Sequence, residues 1–227
     1  FILQDAKVIT TDIVEEVNLD GNSSAIYHQL DVTNKDNFIE VLNKVEDEVG
    51  KIDILINNAG ISLHASDLTE YPYDIIKKEF DVNVFGVING LSCGPAYMRD
   101  GGAIINTSSQ ASVTNIPGQG PYCATKSSIN SLTRCAAIEL ADRNISVNAV
   151  CPTYVNSPLS GFDEHPEYSR LAETMIPLGN ALEVENLYGI YQFLASDDCK
   201  YITGQSIVID GGWTAGLSNQ LISLLFK

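Results

Sequence analysis

At 227 residues, with 44% hydrophobic and 19% charged side chains, the chain has a soluble globular composition and is long enough for one domain with a sizeable core. Thirteen basic against twenty-nine acidic residues give a formal net charge of −16, which argues against nucleic acid or an anionic membrane surface as a partner. Five cysteines without a CxxC pair and three histidines without ligand spacing argue against a metal site or a disulfide scaffold, and fit a reducing, cytoplasmic setting.

Strand and helix patterns alternate from the start. Residues 6–12 read as a strand ending in Asp12, and residues 25–30 as a second one stopping at Asp31-Val32. Thr33 or Asn34 can cap a helix through Val49, whose apolar face is Phe38, Val41, Leu42 and Val45; Gly50 ends it. Residues 52–56 form a buried strand running into Asn57-Asn58-Ala59-Gly60. A helix is expected over 75–98, broken near Gly94-Pro95, then a strand at 103–106 ending in Thr107-Ser108-Ser109. A helix over 122–140, a strand over 145–150, a loop from Pro152, a helix over 184–195 and a strand at 206–209 complete the pattern. Apolar strands between helices predict a single α/β domain over 1–227: a doubly wound parallel sheet of Rossmann type in three layers, α/β/α. In such a sheet ligands bind at the carboxyl ends of the strands, where Asp12, Asp31, Asn58, Ser109 and the loop after Pro152 fall.

Tyr122 and Lys126, four apart, share one helical face. An ammonium there is expected to lower the phenol pKa towards neutrality, and a serine from a strand end can bond the same substrate oxygen. That is proton-transfer chemistry for an alcohol or carbonyl; the plainer alternative is a surface pair on a helix.

Asn57-Asn58-Ala59-Gly60, Ser109, Tyr122-x-x-x-Lys126, Asp31-Val32 and the closing Asp210-Gly211-Gly212 together resemble the short-chain dehydrogenase/reductase family over essentially the whole chain. The resemblance implies Tyr122 as general acid/base, Lys126 tuning it and holding the nicotinamide ribose, and Ser109 orienting the substrate oxygen. Ser108 is the neighbouring, more structural candidate. Asn83 matches the asparagine that completes the family's proton relay. Asp31 would meet the adenine amino group with Val32 beneath the ring, and Asn58, Ala59 and Gly60 would lie along ribose and phosphates.

Asp12 falls where a carboxylate accepts both adenosine ribose hydroxyls and repels a 2′-phosphate; no Lys or Arg follows it, so NAD is favoured over NADP. Its alternative role is an acidic helix cap. After Pro152 the family's usual glycine is Thr153, a departure that bears on the loop because threonine avoids positive φ. Val155 would meet the carboxamide through its backbone, and Ser157 replaces the usual threonine.

The family's glycine-rich first turn is absent from this sequence, and a strand, turn and helix of roughly 30 residues are expected upstream of Phe1. Residues 157–178 correspond to the family's substrate lid, with Leu159, Phe162, Leu171 and Met175 as apolar anchors and Phe162 and Met175 as candidate pocket lining. The apolar tail from Leu217 to Lys227 is expected to be buried, in a homodimer or homotetramer contact.

The expected function is NAD-linked hydride transfer with a small-molecule secondary alcohol or ketone. The alternatives are a 3-oxoacyl reductase on acyl carriers and a non-catalytic dinucleotide-binding relative.

Overall fold

The computed structural model describes residues 1, 5–16, 25–63, 65–161 and 166–226. Phe162, expected in the lid, and Lys227 of the tail lie outside the described residues. The strands are β1 (Val8–Asp12), β2 (Ala25–Gln29), β3 (Ile52–Asn57), β4 (Met98–Thr107), β5 (Ser146–Pro152) and β6 (Ser206–Ile209), and every pairing is parallel. The principal helices are α1 (Lys35–Val49), α2 (Tyr73–Phe80), α3 (Gly86–Cys93), α4 (Gly120–Glu139), α5 (Pro166–Met175), α6 (Tyr188–Leu194) and α7 (Asn219–Leu225).

The strand order is β3-β4-β5-β6 in one sheet and β1-β2 in another. The single sheet expected from the sequence is therefore divided between β1 and β3, and among the described residues no strand pairs with the facing edge of either.

The long apolar runs follow from burial on two faces. Successive residues of β4 enter different cores: Ile104 packs with Ala136, Ala137 and Val147, and Ile105 with Val150, Leu194 and Cys199. Both isoleucines are fully buried, each stabilising by about 1.5–3 kcal/mol. A third cluster fastens α1 through Phe38, Val41, Leu42 and Val45 to Leu30 and Cys93, as the helical periodicity predicts. Of the two possible caps for α1, Asn34 does the work: its side chain accepts from Asp36 N and Asn37 N, both at 3.1 Å.

Two local expectations, the helix over 75–98 and the anchors of the 157–178 segment, are corrected. The helix expected over 75–98 is instead α2, a π turn (Asp81–Phe85), α3 and a 3-10 turn (Gly94–Tyr97), and Met98 already belongs to β4. Gly90 shows why α3 can lie so close to β3, since a Cβ there would stand 2.0 Å from the Asn57 Oδ1 atom. The 157–178 segment contains α5, and its buried anchors are Ala172 and Ile176, whereas Leu159 is 53% exposed. The tail is fixed at Ser218, which caps Leu221 N at 3.0 Å and donates to Thr174 O, while Leu224, Leu225 and Phe226 face solvent in this single chain.

Candidate active site

Ser109, Tyr122, Lys126 and Asn83 converge at the carboxyl end of the central strands. Ser109 follows β4; its hydroxyl accepts from Ala111 N at 3.1 Å and hydrogen-bonds the Tyr122 phenol. Tyr122 and Lys126 occupy successive turns of α4, with the Lys126 Nζ 5.8 Å from the Tyr122 ring centroid. The amine is buried and donates to Thr107 O at 3.0 Å. Ser108 holds the same helix from beneath, donating to Lys126 O at 3.0 Å, which matches the structural role expected of it.

Asn83 sits in the π turn, a distortion that often marks functional helices. Its Oδ1 accepts from Ile61 N at 2.8 Å, and its Nδ2 donates to Ile61 O at 2.8 Å and Thr125 Oγ1 at 3.1 Å. Thr125 in turn donates to Tyr122 O at 2.7 Å. Gly60 packs its backbone against this group: a Cβ would stand 3.1 Å from the Lys126 Nζ and 3.3 Å from the Asn83 Oδ1. Only glycine admits that approach without displacing both polar atoms.

The electrostatics differ from the sequence expectation. Burial pushes the Tyr122 phenol up to about 12, and the Ser109 hydrogen bond opposes it only in part. Burial also brings the Lys126 amine down to about 8, with Cys151 the lesser, opposing influence. Desolvation of both groups thus outweighs the expected lowering of the phenol by the ammonium.

The residues expected to bind a cofactor lie along the same row of strand ends. Asp12 closes β1, where its Oδ1 accepts from Ile13 N at 2.7 Å. Asp31 follows β2 and accepts from Thr33 N at 2.9 Å, while Val32 packs against Gly86 and its carbonyl accepts from Asn89 Nδ2 at 2.8 Å. Asn58 and Ala59 follow β3. Pro152 ends β5, Val155 bridges to Leu182, and Ser157 precedes a short 3-10 turn. Among the described residues, Asp12 and Asp31 make no hydrogen bond to Tyr122 or Lys126. Thr153 takes no positive φ and extends the sheet, its N–H donating to Ile209 O at 3.0 Å.

Sequence reasoning missed Thr107 and Tyr191. Thr107 Oγ1 donates to Asn58 Oδ1 at 2.9 Å and lies 2.6 Å from the Tyr191 hydroxyl of α6, tying two strand ends to a helix on the other face. Tyr154 stacks on Tyr168 of α5 and on Trp213, with centroids 6.4 and 5.9 Å away, and so joins the 166–175 helix to the site. At the opposite, amino-terminal end of the sheet a cleft of about 180 Å³ is lined by Asp53, Arg99, Asp100 and Lys200. The chemistry is not there, because its charges pair locally: Arg99 with Asp53 at 3.2 Å and Lys200 with Asp197 at 3.0 Å. Among the described residues no cluster of His, Cys, Asp or Glu is placed to hold a metal ion, and no helix is long and apolar enough to cross a membrane.

Comparison with known proteins bears directly on this arrangement. A family model described as enoyl-(acyl carrier protein) reductase matches residues 1–214. The chain belongs to the short-chain dehydrogenase/reductase family. It is 38% identical over 225 residues to the 3-oxoacyl-[acyl-carrier-protein] reductase FabG of Thermotoga maritima, covering 93% of this chain and 89% of that one. It is 33% identical over 217 residues to an NAD-dependent glycerol dehydrogenase of Listeria innocua, covering 94% and 83%. Among solved structures, a gluconate 5-dehydrogenase from Burkholderia cenocepacia in complex with NADP and tartrate superposes with a TM-score of 0.87 at 29% identity, covering 93% of this chain and 87% of that one. This member of the family is accordingly an oxidoreductase with a Rossmann-like fold.

Proposed function

We propose that the chain transfers a hydride between NAD(H) and a small secondary alcohol or ketone, with Tyr122 as general acid/base. The observation that carries this reading is the convergence of Ser109, Tyr122 and the buried Lys126 amine at the carboxyl end of a parallel sheet. Asn83, Thr125 and Gly60 fix the surroundings of that amine, and a retired site has no physical need of the whole set.

The residues fit a dinucleotide. Gly60 leaves the backbone open beside Lys126, and Asp12, Asp31, Val32, Asn58, Ala59, Pro152, Val155 and Ser157 line the strand ends where such a ligand lies in this fold. When bound, the nicotinamide supplies the hydride donor or acceptor. Tyr122 then takes the hydroxyl proton of the alcohol in oxidation or returns it to the carbonyl oxygen in reduction. Ser109 bonds the same oxygen, Lys126 in its charged form favours the phenolate, and Asn83 holds the Ile61 backbone beside the relay.

Asp12 supports NAD. Its carboxylate stands at the end of β1, followed by Ile13, Val14, Glu15 and Glu16, with no cation to neutralise a 2′-phosphate. The Listeria relative is NAD-dependent, whereas the Burkholderia structure holds NADP. A 3-oxoacyl reductase acting on acyl carriers is the second reading, favoured by the Thermotoga relative. The net charge of −16 opposes docking of an acidic carrier. Soluble small molecules, rather than nucleic acid or membrane, are the partners proposed, in the cytoplasm, where the five free cysteines stay reduced.

Initial rates with NADH and NADPH, on small ketones and on an acetoacetyl-carrier thioester, test the proposal. Turnover of a small ketone with a preference for NADH is expected. A preference for NADPH, or turnover confined to the thioester, overturns it.

A further inference from the structure

The turn that carries Asp12 is held from the neighbouring strand. In the parallel pair β1–β2, Thr10 lies opposite Tyr27 and Asp12 opposite Gln29. Tyr27 and Gln29 are two apart in a strand and so share one face. From that face the Tyr27 hydroxyl reaches the carbonyl of Asp12 at 3.1 Å and donates to that of Val14. The Gln29 Nε2 donates to Ile13 O at 2.9 Å. Three successive carbonyls are thus met by two side chains. Within the turn, the Asp12 Oδ1 accepts from Ile13 N at 2.7 Å, so the carboxylate is fixed to the same short segment.

A carboxylate selects between a free 2′-hydroxyl and a 2′-phosphate only if it cannot swing aside. Its Coulomb repulsion falls with distance, and a mobile turn relieves it at little cost. Among the described residues, the side-chain bonds on this turn are those of the Asp12 carboxylate and the cross-strand ones from Tyr27 and Gln29. We infer that Tyr27 and Gln29 are positioning residues for dinucleotide selection, acting by fixing the turn at Asp12 without touching the cofactor themselves. The inference rests on the reading of Asp12 as the adenosine-ribose acceptor.

Dissociation constants of NADH and NADPH, measured on the full chain and on Tyr27→Phe, Gln29→Met, the double variant and Asp12→Ala, test it. Both positioning variants keep shape and lose only the donor. A merely structural role would weaken the two cofactors equally, so the readout is the NADPH-to-NADH ratio of constants. Each single variant is expected to reduce that ratio by about fivefold, the size of one lost hydrogen bond, and the double variant by more. Asp12→Ala is expected to reduce it at least as far. A reduced ratio in Asp12→Ala with wild-type ratios in Tyr27→Phe, Gln29→Met and the double variant overturns the inference and leaves the reading of Asp12 standing. An unchanged ratio in Asp12→Ala overturns both.

Discussion

Lys126 and Tyr122 are both moved by burial, in directions that disfavour their charged forms, and this has a consequence for stability. The Lys126 amine falls from 10.5 to about 8 on folding. Between those values the unfolded chain holds a proton that the native chain lacks, so native stability rises with pH there; below about 8 the full cost of the buried charge is present. Lys126→Met removes that charge but leaves Thr107 O without its donor. Its stability relative to wild type, measured by thermal unfolding across pH, is expected to fall by on the order of 3 kcal/mol between about 8 and 10.5. A difference independent of pH would refute the buried-cation account. At this scale the sequence was most informative. Tyr122 and Lys126 could be singled out because their spacing encodes a shared helix face, and Ser109 because it follows a strand, whereas Asn83 came only from the resemblance to the family. Thr107 and Tyr191 could not, because their contact spans 84 positions and only the tertiary fold makes it.

Among the elements, α3 illustrates what periodicity leaves out. At Gly90 it lies close against β3, and the atom that requires the glycine, in the Asn57 side chain, lies 33 positions earlier in the chain. Gly90→Ala places a Cβ 2.0 Å from that side chain, far inside contact distance. A loss of about 1–3 kcal/mol in urea unfolding is expected from the enforced shift, despite alanine's better helix propensity. A stabilised variant would mean that α3 can move outwards freely. The α5 helix makes the same point: the 157–178 segment was expected to be anchored by Leu159, Leu171 and Met175, whereas its buried residues are Ala172 and Ile176. Strands β3, β5 and β6, by contrast, were legible to within two residues, and β4 at its apolar carboxyl half, since apolar runs buried on both faces leave little choice of conformation.

For the whole molecule, the alternation of strand and helix correctly predicted a parallel Rossmann-like fold, whose strands lie in two sheets, β1-β2 and β3-β4-β5-β6. The exposed tail residues Leu224, Leu225 and Phe226 lie beside a well-fixed Ser218, an arrangement suited to contact with a second copy of the chain. Leu225→Ser with Phe226→Ser is expected to lower the mass measured by light scattering in solution; an unchanged assembly would place any subunit contact elsewhere.

The proton-transfer role of Tyr122 is the centre of the account, and the pH dependence of kcat/KM for alcohol oxidation by wild type and Tyr122→Phe tests it most directly. A phenol held near 12 must lose its proton to act as base, so the wild-type rate is expected to climb with pH through and above neutrality. The variant is expected to lose at least about 100-fold and to lose the climb with it. Equal rates for the two proteins, or the same climb in Tyr122→Phe, would contradict the mechanism.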